Sequence, residues 1–427
     1  MKFTPSARVY VLGVILCVAL TICSRNGGDR GGPSFLASLT IAGIAYLLAI
    51  REFLSTPGFP RRVVVLGLVL AALWHLQFLR MQPGPDDDIH RYVWDGRLQR
   101  LGYSPYTVVP SDPAVRGLHT AETRNLNHPD LPSPYPAGAQ LFFRVVTTIH
   151  ESIFAMKVAF VVCDFAIIFV LLDVLRREKR GGHLVLAYAW NPLLAIEVAG
   201  SGHLDIVGAL LLVVSYAALR RRWPATAAVG FVLSVAVKLL PIVLLPLYWK
   251  RVRTRDAVLA VAVIGLLYVP FLNHGTPIGS LSTFVNSFRF NDPVFLGLEL
   301  VTPPQIVAGL AVLVGLLTAT WLRSKWPEPS PDAFAWPMAA SLLCAPVVYP
   351  WYLFSTLPFL RSVSTLPIII WTVSIIPTYI VWHLRTLGSP WWVPTWMMLL
   401  EYGAVATPGL VIALRSRRDK LAAARDF

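Results

Sequence analysis

The sequence predicts an all-α polytopic membrane protein with about twelve transmembrane helices. The chain has 427 residues, of which 56% are hydrophobic and only 14% are charged, whereas a water-soluble domain carries nearer a quarter charged residues. Its apolar residues form long uninterrupted runs, such as 153–175 and 307–322. Runs of this length cross a bilayer as helices, because a helix satisfies its own backbone hydrogen bonds. We therefore expect a single transmembrane domain over residues 1–427.

The net charge of +14 would suggest a nucleic-acid partner in a soluble protein. Here most Lys and Arg residues lie in short segments between apolar runs, as the positive-inside rule describes for cytoplasmic loops. This placement predicts a multi-pass protein of the plasma (cytoplasmic) membrane with both termini in the cytoplasm. Its environment would be the lipid bilayer, with no nucleic acid as partner. The first run lacks a signal-peptide cleavage site, so we expect it to be a permanent span.

Placing the basic segments in the cytoplasm gives a membrane topology for the chain. The predicted spans are 8–23, 34–50, 63–79, 153–175, 184–199, 203–219, 256–272, 303–322, 335–349, 351–361, 366–383 and 392–414. Residues 80–152 form the first large external loop. The segment 223–249 has basic residues at both ends, so it should be a hairpin of two short helices that turns at Lys238-Leu-Leu-Pro241. The 34 prolines predict broken helices, which membranes tolerate where they line a cavity.

The external loop opens with three consecutive carboxylates, Asp86, Asp87 and Asp88. Such neighbours repel one another, so at least one should have a raised pKa or share a cation. The following residues suit a helix along the membrane interface, with Arg91 and Asp95 on its polar stripe. A simple helix cap is the alternative, although one Asp would suffice for it. The acidic run is therefore the first candidate for chemistry.

Four stretches of the chain, in order, resemble the GT-C glycosyltransferases. Asp86-Asp-Asp88 after a span, followed by a helix and Gly102-Tyr-Ser-Pro-Tyr106, is similar to their first luminal loop. The later stretches resemble motifs of polyprenyl- or dolichyl-phosphate-mannose-dependent mannosyltransferases, including GPI mannosyltransferase I. They are Ser133-Pro-Tyr-Pro-Ala-Gly-Ala-Gln-Leu141, Lys238-Leu-Leu-Pro-Ile242, and Tyr349-Pro-Trp-Tyr-Leu353 with Leu357-Pro358. The resemblance covers roughly residues 80–360. The third Asp departs from the family pattern and leaves open which carboxylate is catalytic.

The resemblance implies a cell-envelope enzyme with a GT-C-type helix bundle. It would transfer a sugar, mannose in the resembling family, from a polyprenyl-phosphate donor to a hydroxyl of a glycan or glycolipid acceptor. Transfer would occur on the extracytoplasmic side with inversion at the anomeric carbon. Asp88 is the implied base and Asp86 the second candidate, while Asp87 would bind a metal or tune its neighbours. No cofactor is required, although a divalent cation (Mg²⁺ or Mn²⁺) at Asp86 and Asp87 is compatible with the family.

Residues of several segments are candidates for contacting the substrates. A lysine within an apolar segment usually faces the protein interior or a wet cavity, so Lys238 is the candidate for the donor phosphate; snorkelling from a helix end is the alternative. His203 and Asp205 could bind sugar hydroxyls or only hydrogen-bond locally. Aromatic side chains could stack on sugar rings or only anchor the chain at the interface. The substrate-binding candidates are Lys238, Arg91, Asp95, Tyr106, His203, Asp205, Arg289, Trp351 and Tyr352.

Two rival functions also suit a polytopic chain. A transporter or lipid flippase would share the broken helices, but it places its key charges near the membrane midplane, whereas this acidic run opens an external loop. A polysaccharide polymerase or ligase relies on Arg and His in its large loop. The acidic run therefore favours glycosyl transfer.

Overall fold

The computed structural model describes residues 4–84, 87–274 and 276–423, so the predictions for Asp86 lie outside the described residues. Within these ranges the chain forms helices, with an isolated bridge between Phe290 and Val347 and no β-strand. The all-α prediction is confirmed. The α-helices are α1 (Pro5–Arg25), α2 (Pro33–Ser55), α3 (Arg61–Leu79), α4 (Ile89–Arg100), α5 (Ala137–Ile149), α6 (Ile153–Arg177), α7 (Leu186–Ala189), α8 (Asp205–Arg220), α9 (Pro224–Val237), α10 (Thr254–Tyr268), α11 (Leu281–Ser287), α12 (Pro293–Glu299), α13 (Pro304–Lys325), α14 (Pro331–Leu343), α15 (Leu366–Ser374), α16 (Ile380–Thr386) and α17 (Thr395–Ala423).

Seven helical segments of the described chain are long and apolar enough to cross a membrane. They are Pro5–Arg25, Pro33–Ser55, Arg61–Leu79, Ile153–Arg177, Thr254–Leu272, Pro304–Lys325 and Val363–Thr386. The pair Gly182–Ala189 and Leu194–Ser201, bent by 57°, is a further candidate for a broken span. All of these overlap predicted spans. The number of about twelve crossings stays a prediction, because the spans expected at 203–219 and 335–349 form helices of only 16 and 13 residues.

Prolines break several apolar segments into short 3₁₀ helices, as expected for a residue that lacks a backbone N–H donor. Pro241 and Pro246 lie in the segment Leu240–Tyr248, and Pro350 begins the segment Pro350–Ser355. The remaining 3₁₀ helices are Gly27–Asp29, Pro113–Leu118, Gly182–Val185, Val269–His274, Leu357–Phe359, Val363–Thr365 and Ile376–Tyr379. The prediction of broken helices is confirmed.

The segment 223–249 is the predicted helical hairpin. Its first leg is α9, its second leg is Leu240–Tyr248, and Lys238 between them has extended backbone angles. Ser215 of α8 donates to the carbonyl of Ala227 at 2.6 Å and lies 2.7 Å from the hydroxyl of Tyr248. Both legs therefore meet α8 at the same height, with Lys238 at the tip.

The loop that was predicted to be external, residues 80–152, contains the two helices α4 and α5. The structure confirms the helix predicted after the acidic run, but the loop encloses it on nearly all sides. Its polar stripe, which was expected to face the interface, is buried: Arg91 is 3% and Asp95 0% exposed. The reason is that the chain between α4 and α5 folds back over the stripe and supplies partners for both charges, including the carbonyl of Leu131 and the hydroxyl of Ser133.

Three hydrogen bonds from one lysine hold the entry to this loop against the bundle. Lys157 of α6 donates to the carbonyls of Phe78, Leu79 and Met81 at 3.3, 3.1 and 2.7 Å. The last carbonyls of a helix have no partners within it, so the ammonium group caps α3. Lys157 and Lys238 are the two lysines within apolar segments. The contacts of Lys157 are those of a residue that stabilises the fold.

Candidate active site

Asp88 lies directly before α4, and 25% of its side chain is exposed. Asn127 donates to its Oδ1 at 2.6 Å, and the hydroxyl of Tyr92 lies 3.5 Å from its Oδ2. The carboxylate makes no capping hydrogen bond to α4, so the simple cap does not describe it. One oxygen is held firmly and the other stays available to a ligand.

Asp87 has a different environment, although it is the adjacent residue. Its two oxygens accept hydrogen bonds from the guanidinium of Arg30 at 2.6 and 3.1 Å, and Oδ2 also accepts from the backbone N–H of Gly84 at 2.7 Å. Both charged side chains are buried. Arg30 therefore supplies the cation that the repulsion between neighbouring carboxylates requires, and Asp87 fastens the loop to the segment between α1 and α2.

The hydrogen bonds of Asp87 also affect whether this residue could bind the Mg²⁺ or Mn²⁺ ion considered from the sequence. Within the described residues, no group of three or more His, Cys, Asp or Glu side chains is arranged to hold a metal ion. Because the oxygens of Asp87 are already occupied by Arg30 and Gly84, the described residues do not fit such a site. We derive no chemical step through a metal.

The turn after the broken span carries His203 to Asp88. A π-helix over Leu194–Ser201 ends at Gly202, whose φ of +78° suits glycine. The backbone N–H groups of Gly202 and His203 both donate to the carbonyl of Glu197, at 3.1 and 2.8 Å. A Cβ on Gly202 would lie 2.4 Å from Cδ1 of Ile89. This close approach brings Nδ1 of His203 to 3.8 Å from Oδ2 of Asp88.

His203 is 1% exposed and enclosed on its other sides. Its Nε2 lies 3.0 Å from Oε2 of Glu197, and the hydroxyl of Tyr379 donates to the other oxygen of that carboxylate. The ring stacks on Trp351 with centroids 3.7 Å apart and planes within 9°. Glu197 was not among the predicted residues. The available signal was a single acidic residue in an otherwise apolar stretch, which in membranes is a functional candidate by default.

Lys238, at the tip of the hairpin, points toward the same turn. Its ammonium group lies 3.0 Å from Oδ1 of Asp205 and 4.1 Å from the ring centroid of Tyr352. An ammonium group over an aromatic face is attracted by the ring quadrupole. Asp205 follows His203 by two residues, a separation of at most about 7 Å. The acidic loop and the embedded lysine therefore meet one short turn of chain.

This turn also carries buried polar atoms that lack a protein hydrogen-bond partner. Among the described residues these include Oγ of Ser201, Nδ1 of His203 and Oδ2 of Asp205. Nearly all buried polar groups in folded proteins are hydrogen-bonded. A cluster of exceptions beside Asp88 and Lys238 is the property expected of a surface that receives a polar ligand.

Two tyrosines of the external loop border the same region. Burial raises the pKa of Tyr92 well above its usual value, and Tyr135, Asp88 and Asp205 act in the same direction. Burial also raises the pKa of Tyr135, and the carboxylate of Asp88 adds to that effect. Both phenols therefore keep their protons near neutral pH and act as hydroxyl donors.

Arg91 and Asp95 lie inside the loop. The Nε of Arg91 lies 3.1 Å from Oδ1 of Asp95, and its Nη2 donates to the carbonyl of Leu131 at 2.7 Å. Oδ2 of Asp95 accepts from Ser133 at 2.5 Å and from Gln140 at 2.9 Å. Burial raises the pKa of Asp95, and its bonds to Arg91, Ser133 and Gln140 oppose that shift. Arg91 and Asp95 therefore make contacts that stabilise the loop.

Tyr106 and Arg289 are also engaged by the protein. The hydroxyl of Tyr106 donates to the carbonyl of Tyr135 at 2.9 Å. Arg289 pairs with both oxygens of Glu299 at 2.9 and 2.5 Å and lies over the ring of Phe295. Of the predicted substrate-binding residues, the structure places His203 beside Asp88 and Trp351 against His203. It also joins Lys238 to Asp205, on the same turn as His203, and to Tyr352. It does not bring Arg289 into this group.

Comparison with known proteins gives a family. The family model described as "Alpha-(1->6)-mannopyranosyltransferase, N-terminal domain" matches residues 20–252, more than half of the chain. No curated protein matches the sequence significantly. Among solved structures, ArnT from Cupriavidus metallidurans bound to undecaprenyl phosphate is similar at 15% identity and a TM-score of 0.45, over 81% of this chain and 74% of that one. The family match confirms the predicted resemblance to mannosyltransferases and the function class of glycosyl transfer. The chain belongs to the MptA/B family of alpha-(1->6)-mannopyranosyltransferases.

Proposed function

We propose that the protein transfers mannose from a polyprenyl-phosphate donor to an acceptor hydroxyl, with inversion. The observation that carries this proposal is the turn 201–205, whose unpartnered polar atoms adjoin two partly exposed charges, the carboxylate of Asp88 and the ammonium group of Lys238. Glycosyl transfer from a lipid phosphate needs both charges: one to deprotonate the attacking hydroxyl and one to stabilise the departing phosphate. The family description supports mannose as the sugar.

Asp88 is the proposed base. Among the described aspartates of the acidic run, Asp87 is bonded to Arg30, whereas Oδ2 of Asp88 has the hydroxyl of Tyr92 at 3.5 Å and Nδ1 of His203 at 3.8 Å. The bond from Asn127 fixes the carboxylate without occupying its second oxygen. A positioned general base contributes about 10²- to 10⁴-fold to a rate. This is the range that its removal should reveal.

Lys238 is the proposed ligand of the donor phosphate. An ammonium group has three N–H donors, and Asp205 accepts one of them. The others are available to phosphate oxygens, which form strong charge-assisted hydrogen bonds with lysine. Lys238 sits at a proline-bounded break in an apolar hairpin, so a lipid tail can lie along the hairpin while its phosphate reaches the ammonium group. Trp351 and Tyr352 would then border the sugar.

The proposed step is a direct displacement. The acceptor oxygen forms a bond to the anomeric carbon as the bond from that carbon to the phosphate oxygen breaks. The electron pair of the broken bond stays on the phosphate beside Lys238, and the hydroxyl proton passes to Asp88. Attack opposite the leaving group inverts the anomeric carbon.

We further propose that this site faces the extracytoplasmic side of the plasma membrane. Most basic residues lie in short segments between the apolar runs, and the positive-inside rule assigns such segments to the cytoplasm, which would leave the acidic loop outside. The acceptor would be a glycan or glycolipid of the cell envelope.

The test uses purified full-length protein in lipid vesicles, with radiolabelled polyprenyl-phosphate mannose as donor and an alkyl α-mannoside as acceptor probe. We expect label in a new disaccharide product, and none with Asp88→Asn. Label that crosses the bilayer on unchanged donor would contradict the proposal and indicate a flippase. Product with the anomeric configuration of the donor would contradict direct displacement.

A further inference from the structure

The imidazole ring of His203 lies between two carboxylates. Nε2 lies 3.0 Å from Glu197 and Nδ1 lies 3.8 Å from Asp88. The histidine and Glu197 are almost completely buried, and Asp88 is one-quarter exposed on its outer side. A carboxylate, a histidine and a second carboxylate therefore form a row that leads from the protein interior to the site.

Glu197 determines which nitrogen of the neutral His203 ring carries the proton and which one carries the lone pair. Its Oε1 accepts the hydroxyl of Tyr379, so Oε2 is the oxygen left for the N–H at Nε2 of His203. A hydrogen bond made by one imidazole nitrogen decides which tautomer is present. In the neutral ring, Nδ1 then carries a lone pair, and this lone pair faces Oδ2 of Asp88.

Nδ1 and Oδ2 are both acceptors, and neither has a proton to give the other. At 3.8 Å they are too far apart for a hydrogen bond. A single proton placed between them would turn two facing lone pairs into a charge-assisted hydrogen bond. The pair therefore offers a place for one shared proton, and the carboxylate of Glu197 lies on the other side of the ring to balance the charge of an imidazolium.

We propose that His203, positioned by Glu197, shares with Asp88 the proton that the acceptor hydroxyl loses. This inference rests on the proposed function. The acceptor O–H bond breaks as the new bond to the anomeric carbon forms, and its proton passes first to Oδ2 of Asp88. It is then held between Oδ2 and Nδ1, with positive charge on the imidazole balanced by Glu197. Release of the proton to solvent restores the starting state. His203 is thus a positioning and proton-sharing residue, and no group is oxidised or reduced.

Other charged groups face this row from each packed element. Lys157 of α6 lies beside Gly202, with its Cγ 3.2 Å from the place of a glycine Cβ. Arg30 lies close enough to Glu197 for the two charges to interact. Asp205 follows on the same turn and is paired with Lys238. Lys157 and Arg30 are held by carbonyls and by Asp87, so the titrating partners of the ring are Asp88 and Glu197.

The test is the pH dependence of kcat/KM for mannosyl transfer by the vesicle-bound full-length protein. Asp88 and His203 can accept the proton of the acceptor hydroxyl only when they do not already share one, so kcat/KM should fall at low pH. Glu197→Gln keeps the shape of the side chain but removes the charge that stabilises the imidazolium. We expect its acid limb to move about one pH unit lower and its plateau kcat to fall about 10- to 100-fold.

A second variant gives the opposite sign. Tyr379→Phe removes a hydroxyl that draws charge from Glu197, so its acid limb should move to higher pH. The matched control is Asp164→Asn, which alters another buried carboxylate bonded to a histidine and a tyrosine and should leave the limb in place.

The failure of this inference can be told from failure of the proposed function. Suppose that Asp88→Asn is inactive, but the acid limbs of Glu197→Gln and Tyr379→Phe stay at the wild-type pH or His203→Gln retains full kcat. The proton-sharing role is then overturned, and the assignment of Asp88 as the base stands. If Asp88→Asn retains activity, the proposed function fails first. If Glu197→Gln does not fold, the upward shift in Tyr379→Phe decides the matter alone.

Discussion

Two buried clusters in this protein combine a histidine, a carboxylate and a tyrosine. In the bundle, Nε2 of His75 lies 3.0 Å from Asp164, which also accepts the hydroxyl of Tyr188. At the site, Nε2 of His203 lies 3.0 Å from Glu197, which accepts the hydroxyl of Tyr379. We refer to these as the bundle cluster and the site cluster.

The clusters differ at the second ring nitrogen. Nδ1 of His75 lies 2.8 Å from the carbonyl of Ala71 in its own helix, so this nitrogen has a hydrogen-bond partner. Nδ1 of His203 has none and faces Asp88 instead. A fully satisfied polar cluster rigidifies a core, whereas a partly satisfied one keeps capacity for a further partner. The same three residue types therefore serve packing in one place and chemistry in the other.

The largest difference between the clusters should appear on removing a carboxylate charge. Asp88→Asn should lower kcat by about 10³-fold while membrane insertion and thermal stability stay near wild type. Asp164→Asn should instead destabilise the bundle by about 3 kcal/mol, because it leaves a buried histidine without its charged partner, and folded protein should keep its kcat. Transfer assays paired with thermal unfolding separate the two. Near-normal turnover by Asp88→Asn would refute the assignment of the base.

The two lysines in apolar segments offer the next contrast. Lys238→Met should raise KM for the lipid donor by about 10- to 100-fold, the loss of one charged contact to phosphate, with a smaller change for the acceptor. Lys157→Met removes the cap on α3 and should lower stability without a selective change in donor KM. Initial-rate measurements over both substrates check this. Equal donor dependence in the two variants would count against phosphate binding by Lys238.

A smaller effect should follow from substitutions at two glycines with positive φ. Gly202→Ala combines strained backbone with a clash at Ile89, whereas Gly102→Ala, at φ +85°, meets no atom within 4 Å. Both should lose about 1 kcal/mol of stability from backbone strain. Only Gly202→Ala should also lower kcat, by about tenfold, because it moves His203 from Asp88. Equal kcat in both variants would show that the approach of the turn to α4 has no catalytic role.

The smallest expected effect concerns Asp292, a buried carboxylate outside both clusters. Burial raises its pKa to about 7, so the folded segment favours the protonated form. Its contribution to stability is complete below the unfolded pKa of about 4 and is lost as pH rises through 7. Hydrogen exchange in residues 288–292, corrected for intrinsic rates, should show weaker protection at pH 8 than at pH 6. Asp292→Asn should abolish the difference, and stronger wild-type protection at pH 8 would contradict it.

The sequence was informative where one residue contradicts its surroundings. A lysine near a proline in an apolar run predicted the tip of the hairpin, and three adjacent carboxylates pointed to the loop that carries the candidate site. It was uninformative where a bond joins distant residues. Arg30 and Asp87 are 57 positions apart, and Tyr379 and Glu197 are 182 apart. No local pattern distinguishes the held Asp87 from the available Asp88, because the partner that separates them comes from another loop.

The most direct test of the proposed site is a cryo-electron microscopy structure of the full-length protein with polyprenyl phosphate bound. We expect the phosphate within hydrogen-bond distance of the Lys238 ammonium group, with space for one sugar between the phosphate and Asp88. Phosphate bound away from Lys238, or Asp88 directed away from that space, would contradict it.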